Sequence, residues 1–108
     1  MTYPSPVHMG EFDPMVGGDI VDRYLDIAAD LADGETIVGV SFTIRHEDGD
    51  VAASGSVTGE SIASGRVDFR LTGPDDTGPY TIIVVFAISD GQQITRTVGL
   101  WVVADAPA

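Results

Sequence analysis

The sequence predicts an all-β domain. Three observations carry that expectation: runs in which apolar and polar residues alternate with a period of two, Gly and Asp punctuation at short intervals, and no sustained stretch of helical period. The 108 residues match the common size of one domain, and a hydrophobic content of 44% is enough to build a core without help.

Residues 1–19 are rich in Pro, Gly and Met and keep neither period, so they are expected to form an extended N-terminal arm. The folded domain is expected over residues 20–103, with a short tail over residues 104–108. Residues 20–27 supply the first strand, and Ala28, Ala29, Asp30 and Leu31 the one candidate helical turn, too short to be more than a connector. From residue 37 to residue 46 the even positions Val38, Val40, Phe42 and Ile44 are apolar and the odd ones are not, the pattern of a half-buried strand. A two-residue Asp48-Gly49 turn would then set Ile44 opposite Ala53 and Val40 opposite Val57, keeping the apolar faces together.

Val67, Phe69 and Leu71 alternate with Arg66, Asp68 and Arg70 in the next strand. The last two strands place Tyr80, Ile82, Val84, Phe86 and Ile88 on one face, and Ile94, Val98, Leu100 and Val102 on the face that meets it. Even positions must pair with even ones. That parity excludes a two-residue Asp90-Gly91 loop and predicts a three-residue Ser89-Asp90-Gly91 loop, with Gly91 at positive φ in a bulge. The predicted core is Val38, Val40, Phe42, Ile44, Val67, Phe69, Leu71, Ile82, Val84, Phe86, Val98 and Leu100.

Asp76-Thr77-Gly78-Pro79-Tyr80, just before the longest apolar strand, has the D-x-G-x-Y form found where a Tyr hydroxyl closes a corner onto backbone upstream. It resembles the same segment of immunoglobulin-like domains. The fold expected is therefore an immunoglobulin-like antiparallel β-sandwich with an extended N-terminal arm.

Charge and composition narrow the function. Seventeen acidic residues against five basic ones, all Arg, give a net charge of −12, so the cation clusters that bind nucleic acid or an anionic membrane are missing. The chain has no Cys, which removes disulfides, thiolate nucleophiles and Cys-ligated zinc. No basic segment precedes an apolar stretch, and the longest apolar run, residues 82–88, falls far short of the roughly 20 residues that span a bilayer. A soluble chain without a leader is expected.

Catalytic groups are sparse. His8 lies in the arm and His46 beside a turn; Gly55-Ser56-Val57-Thr58-Gly59 has its Ser one position too early for a nucleophile elbow. Glu47, Asp48 and Asp50, like Asp75 and Asp76, lack calcium-loop spacing and read as solvated turn acids, and Gly17-Gly18 lacks the context of a phosphate loop. No enzyme, cofactor or metal is expected. The residues that invite a binding role are Ile83, Val85 and Trp101, which parity places together on the face opposite the core, where a monomer ordinarily shows polar side chains. Either a partner covers this face or the arm folds over it.

Phe12-Asp13-Pro14, the run Asp19-Ile20-Val21-Asp22-Arg23-Tyr24-Leu25-Asp26 and the run Asp30-Leu31-Ala32-Asp33-Gly34-Glu35-Thr36-Ile37 follow one another. Together they resemble the small virion proteins of tailed bacteriophages described as fiber-tail adaptors. That pattern combines an F-x-P arm, a Y-x-x-D strand and an L-x-D/E-G-E/D-T-I turn, with the later G-x-Y strand and D-G hairpin in keeping. Met15 stands where the family has a Lys, and Ile27 where it has an aromatic.

The resemblance implies a structural virion protein that docks on tail, fiber or capsid proteins, in multiple copies on a symmetric assembly. Phe12 and Pro14 of the arm would join Ile83, Val85 and Trp101 at the interface. A capsid decoration, or cement, protein and a bacterial extracellular immunoglobulin-like module are the alternatives.

Overall fold

A computed structural model describes residues 7–63 and 65–104. They form eight strands: β1 (Val7–Glu11), β2 (Met15–Val16), β3 (Ile20–Asp26), β4 (Ile37–His46), β5 (Ser56–Ala63), β6 (Arg66–Thr72), β7 (Gly78–Ile88) and β8 (Gln93–Val103). The described residues contain no α-helix. Their one helical turn is 3-10 in type and spans Ala28–Asp30, the place expected for a connector.

The strands make two sheets that face each other as a sandwich. One runs β1-β8-β7-β4, with β2 also lying against β8; the other runs β3-β6-β5. Pairing is antiparallel except where β1 and β2 run parallel to β8. The inner faces carry Leu25, Val67, Phe69 and Leu71 from the smaller sheet, and Ile44, Ile82, Val84, Phe86, Val98 and Leu100 from the larger, all buried. Val40, Phe42 and Val57 pack against this core partly buried.

The β7–β8 hairpin follows the parity argument. Phe86 pairs with Ile94, Ile82 with Val98 and Tyr80 with Leu100. Ile88 N–H donates to the Gln92 carbonyl at 2.9 Å, and Gly91 has φ 93°, as a three-residue loop with a bulge requires.

β4 and the segment after it differ from expectation at three points. An extra residue interrupts the register between Ile37 and Gly39, so Val38 turns outward and is 62% exposed while Ile37 takes the buried place. A single bulge inverts the parity of everything on its far side. The Asp48-Gly49 turn is longer than two residues: His46 N–H donates to the Asp50 carbonyl, Ala52 N–H donates to the Ile44 carbonyl, and Gly49 has φ 98°. Ile44 is therefore bonded across to Ala52 rather than opposite Ala53. The chain then crosses to the other sheet, where β5 pairs with β6, so Val40 and Val57 are on facing sheets rather than cross-strand neighbours.

The N-terminal segment is woven into the larger sheet as far as it is described. Val7 and His8 pair with Arg96 and Thr97, Glu11 with Gly99, and Met15 and Val16 with Val102 and Val103. Met15 is buried in the core. No period was legible there because the strands are short and the register of β1 shifts between His8 and Glu11, where Gly10 has φ 104°.

Tyr80 closes the predicted corner, its hydroxyl donating to the Asp76 carbonyl at 2.8 Å. Burial, and after it the charges of Asp76 and Asp75, push the phenol above its ordinary value near 10. In the unfolded chain Tyr80 ionises near that ordinary value, so between the two values the folded state keeps a proton that the unfolded state has lost. Stability is full below about pH 10 and falls as pH rises through the folded value. Tyr80→Phe is expected to cost about 1 kcal/mol at neutral pH, from the lost hydrogen bond, and to flatten the alkaline decline in urea titrations. An unchanged alkaline slope in the variant would assign the decline to other groups.

Candidate docking surface

The outer face of the larger sheet is built by alternation. Because the even residues of β7 and β8 face the core, the odd ones form rows across the outside: Ser41, Val85 and Thr95; then Thr43, Ile83 and Thr97; then Arg45, Thr81 and Gly99. Ile83 and Val85 are half-buried, flanked by hydroxyl-bearing and β-branched neighbours. None of these nine positions carries a carboxylate, although the chain has seventeen.

Apart from Glu11 of β1, which pairs with Gly99, the acids lie elsewhere. Asp33, Glu35 and Asp90 occupy loops at one end of the sheet, and Glu47, Asp48, Asp50, Asp75 and Asp76 loops at the other. The Asp90 carboxylate accepts the Gln92 N–H at 2.9 Å, and that of Glu35 accepts the Ala32 N–H at 2.7 Å.

Trp101 is on the same face, cross-strand from Pro79 and 46% exposed. The Thr81 and Gly99 row separates it from Ile83. Gly99 has no side chain to fill that row, and Glu11 of β1 leans over it so closely that a Cβ on Gly99 would lie 2.8 Å from the Glu11 Cγ. Glu11, Glu47, Pro79, Thr81, Gly99 and Trp101 thus border a shallow cavity of about 250 Å³. Of the five residues singled out from sequence, the structure puts Ile83, Val85 and Trp101 on one face.

Phe12 and Pro14 are placed apart from that face. The Phe12 ring packs partly buried against the core, 5.9 Å from the Phe69 ring, while the Phe12 N–H donates to the Gly99 carbonyl. Pro14 is exposed between β1 and β2. The described part of the N-terminal segment follows the edge of β8 instead of crossing the sheet. The side chain of His8 and all of residues 1–6 lie outside the described residues. His46 stacks on Tyr80 with ring centroids 4.9 Å apart. Among the described residues no three His, Asp or Glu converge as a metal site would need.

Sequence reasoning missed the outer face of the smaller sheet. There Arg66 lies 4.0 Å over the Tyr24 ring and pairs with Asp68 at 2.8 Å, and Arg70 reaches Asp22 at 3.2 Å. The signal was present, because Asp22, Tyr24 and Asp26 alternate in antiphase to Val21, Arg23 and Leu25, and β3 pairs with β6 along its whole length. These exposed pairs contribute little stability individually. They do make this face more densely charged than the other, whose nine positions on β4, β7 and β8 carry Arg45 as their one charge.

A family model described as podophage GP4 fiber-tail adaptor protein gp77 matches residues 17–101, from just before β3 to near the end of β8. No curated protein matches the chain.

Proposed function

The chain belongs to the podophage GP4 fiber-tail adaptor protein gp77 family, and from that premise we propose that it is a non-enzymatic virion component that docks at the tail and fiber junction. The outer face of the larger sheet is the docking surface in this reading. What carries it is the distribution of charge: a protein of net charge −12 keeps the β4, β7 and β8 positions around Ile83, Val85 and Thr81 free of carboxylates, with Glu11 of β1 at one edge and a half-exposed Trp at the margin. Interface centres are depleted in charge and enriched in aromatics. Repeated copies on a symmetric particle would strengthen each contact by multivalency.

Incorporation into purified phage particles tests the reading. Ile83→Glu with Val85→Glu places carboxylates at the centre of the face, and Trp101→Ala removes the aromatic anchor; each variant is first shown to be folded. Loss of an anchor costs on the order of 2 kcal/mol or more per contact, so copy number is expected to fall severalfold or further. Arg70→Gln on the opposite sheet should leave it unchanged. Wild-type copy number in both face variants would move the docking site elsewhere.

A further inference from the structure

The sandwich is open along the side where β1 of one sheet approaches β3 of the other. Met9, Phe12, Arg23 and Leu25 line the opening together with Glu11, Asp13, Asp22 and Asp26, and its volume is about 530 Å³. Met9 and the partly buried Phe12 make an apolar floor. Four carboxylates surround that floor against two guanidiniums, that of Arg23, which lies 6.0 Å over the Phe12 ring, and that of Arg70, which reaches Asp22 at 3.2 Å from β6.

β3 borders this opening with a free edge. Its hydrogen-bonded neighbour is β6, in unbroken register from Ile20 to Asp26. The other edges are blunted. The register of β1 shifts between His8 and Glu11, and that of β5 shifts between Thr58 and Ser61. β4 is bulged at its start, and near its end Ile44 and His46 already bond to Ala52 and Asp50. A long, regular, unpaired edge is a template for an added strand.

We infer that the β1–β3 groove takes an extended segment of another virion protein, added as a strand on β3, in which Lys or Arg alternates with apolar side chains. Strand alternation fixes that chemistry. One set of side chains would point inward over Met9, Phe12 and Leu25, where only apolar groups are favourable; the other would point outward beside Asp22 and Asp26, while Glu11 and Asp13 at the β1 rim of the opening add to the negative field. Net negative charge around the floor attracts a basic segment and repels an acidic one. The inference rests on the adaptor reading for the partner's place in the particle, while the groove is a different surface from the β4-β7-β8 face.

The test uses the folded full chain and a short capped peptide alternating Lys with Val and Phe, followed by amide and methyl chemical shifts. Shifts are expected at Val21, Asp22, Arg23, Tyr24, Leu25 and Asp26 and at the Met9 methyl. The combined variant Asp13→Asn, Asp22→Asn and Asp26→Asn should bind about tenfold more weakly, since each exposed charge pair is worth a fraction of a kcal/mol. Asn at position 26 retains the oxygen that accepts the Ala28 N–H. A peptide with Glu in place of Lys should not bind. Nor should one N-methylated along a single edge, which keeps the charge but cannot add a strand.

Equal binding by either control peptide, or shifts confined to the acidic loops, would overturn the proposal. So would binding that appears only after residues 1–6 are removed, because the occupant would then be the chain's own N-terminal segment. Ile83→Glu with Val85→Glu should bind the peptide normally, so failure of the groove and failure of the sheet face are read separately.

Discussion

Phe86→Ala is expected to lower the free energy of unfolding by about 3 to 5 kcal/mol. Phe86 heads the fully buried side chains by volume and has no accessible surface. It sits on the central strand β7, cross-strand from Val40 on β4 and from Ile94 on β8, with the smaller sheet closing over it. Removing the ring forfeits its transfer free energy and leaves a void that two hydrogen-bonded neighbouring strands cannot collapse into. A domain of this size loses about 4 °C or more of melting temperature per kcal/mol, and its total stability is on the order of 5 to 15 kcal/mol. Urea titration should therefore show a large fall in midpoint with little change in slope. A cost below about 1 kcal/mol would mean that the ring is not enclosed.

Gly65→Ala is expected to cost about 2 to 4 kcal/mol, far more than adding one methyl group at an open site. Gly65 is held at φ 147°, and its carbonyl accepts the Ile27 N–H at 2.8 Å, tying the start of β6 to the end of β3. A Cβ there would lie 2.8 Å from the Ala28 Cα and 2.9 Å from the Ala28 Cβ. Backbone must move, because no flexible side chain stands in the way. Gly91→Ala separates the two causes: φ is 93° but nothing lies within 4 Å, so only conformational strain of about 1 kcal/mol applies. Equal costs for the two substitutions in denaturant titrations would show that the contact with Ala28 does not matter.

How much was legible in the sequence depended on where strict alternation survives. β6 pairs with β3, and β7 with β8, without a bulge, so parity read from the large apolar residues supplied the core residues, the length of the Ser89-Asp90-Gly91 loop and the outward set of Ile83, Val85 and Trp101. The corner of Tyr80 could be read because five consecutive residues encode it. Val38 was misread because the bulge beside it leaves no mark in composition. β5 was joined to β4 because parity constrains which faces meet but not which sheet a strand enters.

The N-terminal strands were missed because parallel pairing of a few residues needs no hydrophobic period, only a partner far along the chain. Phe12 looked like a free anchor for the same reason, and the structure fixes it against Phe69. The charged face of Tyr24, Arg66 and Arg70 and the groove beside β3 depend on pairs of residues distant in sequence. No local pattern reports them.

The pairing of β1 with β8 also bears on the order of events in folding. Val7 and Arg96 are partners across nearly the whole described chain. During synthesis β1 leaves the ribosome long before its partner exists, while β4, β6 and β7 can already find neighbours. Contacts of such separation form late, because closing a long loop costs entropy before any contact repays it. The larger sheet thus keeps one flank open until β8 has joined β7, and the N-terminal segment latches last. Until then the floor of Met9 and Phe12 is not assembled, which makes the β1–β3 groove a property of the finished molecule alone.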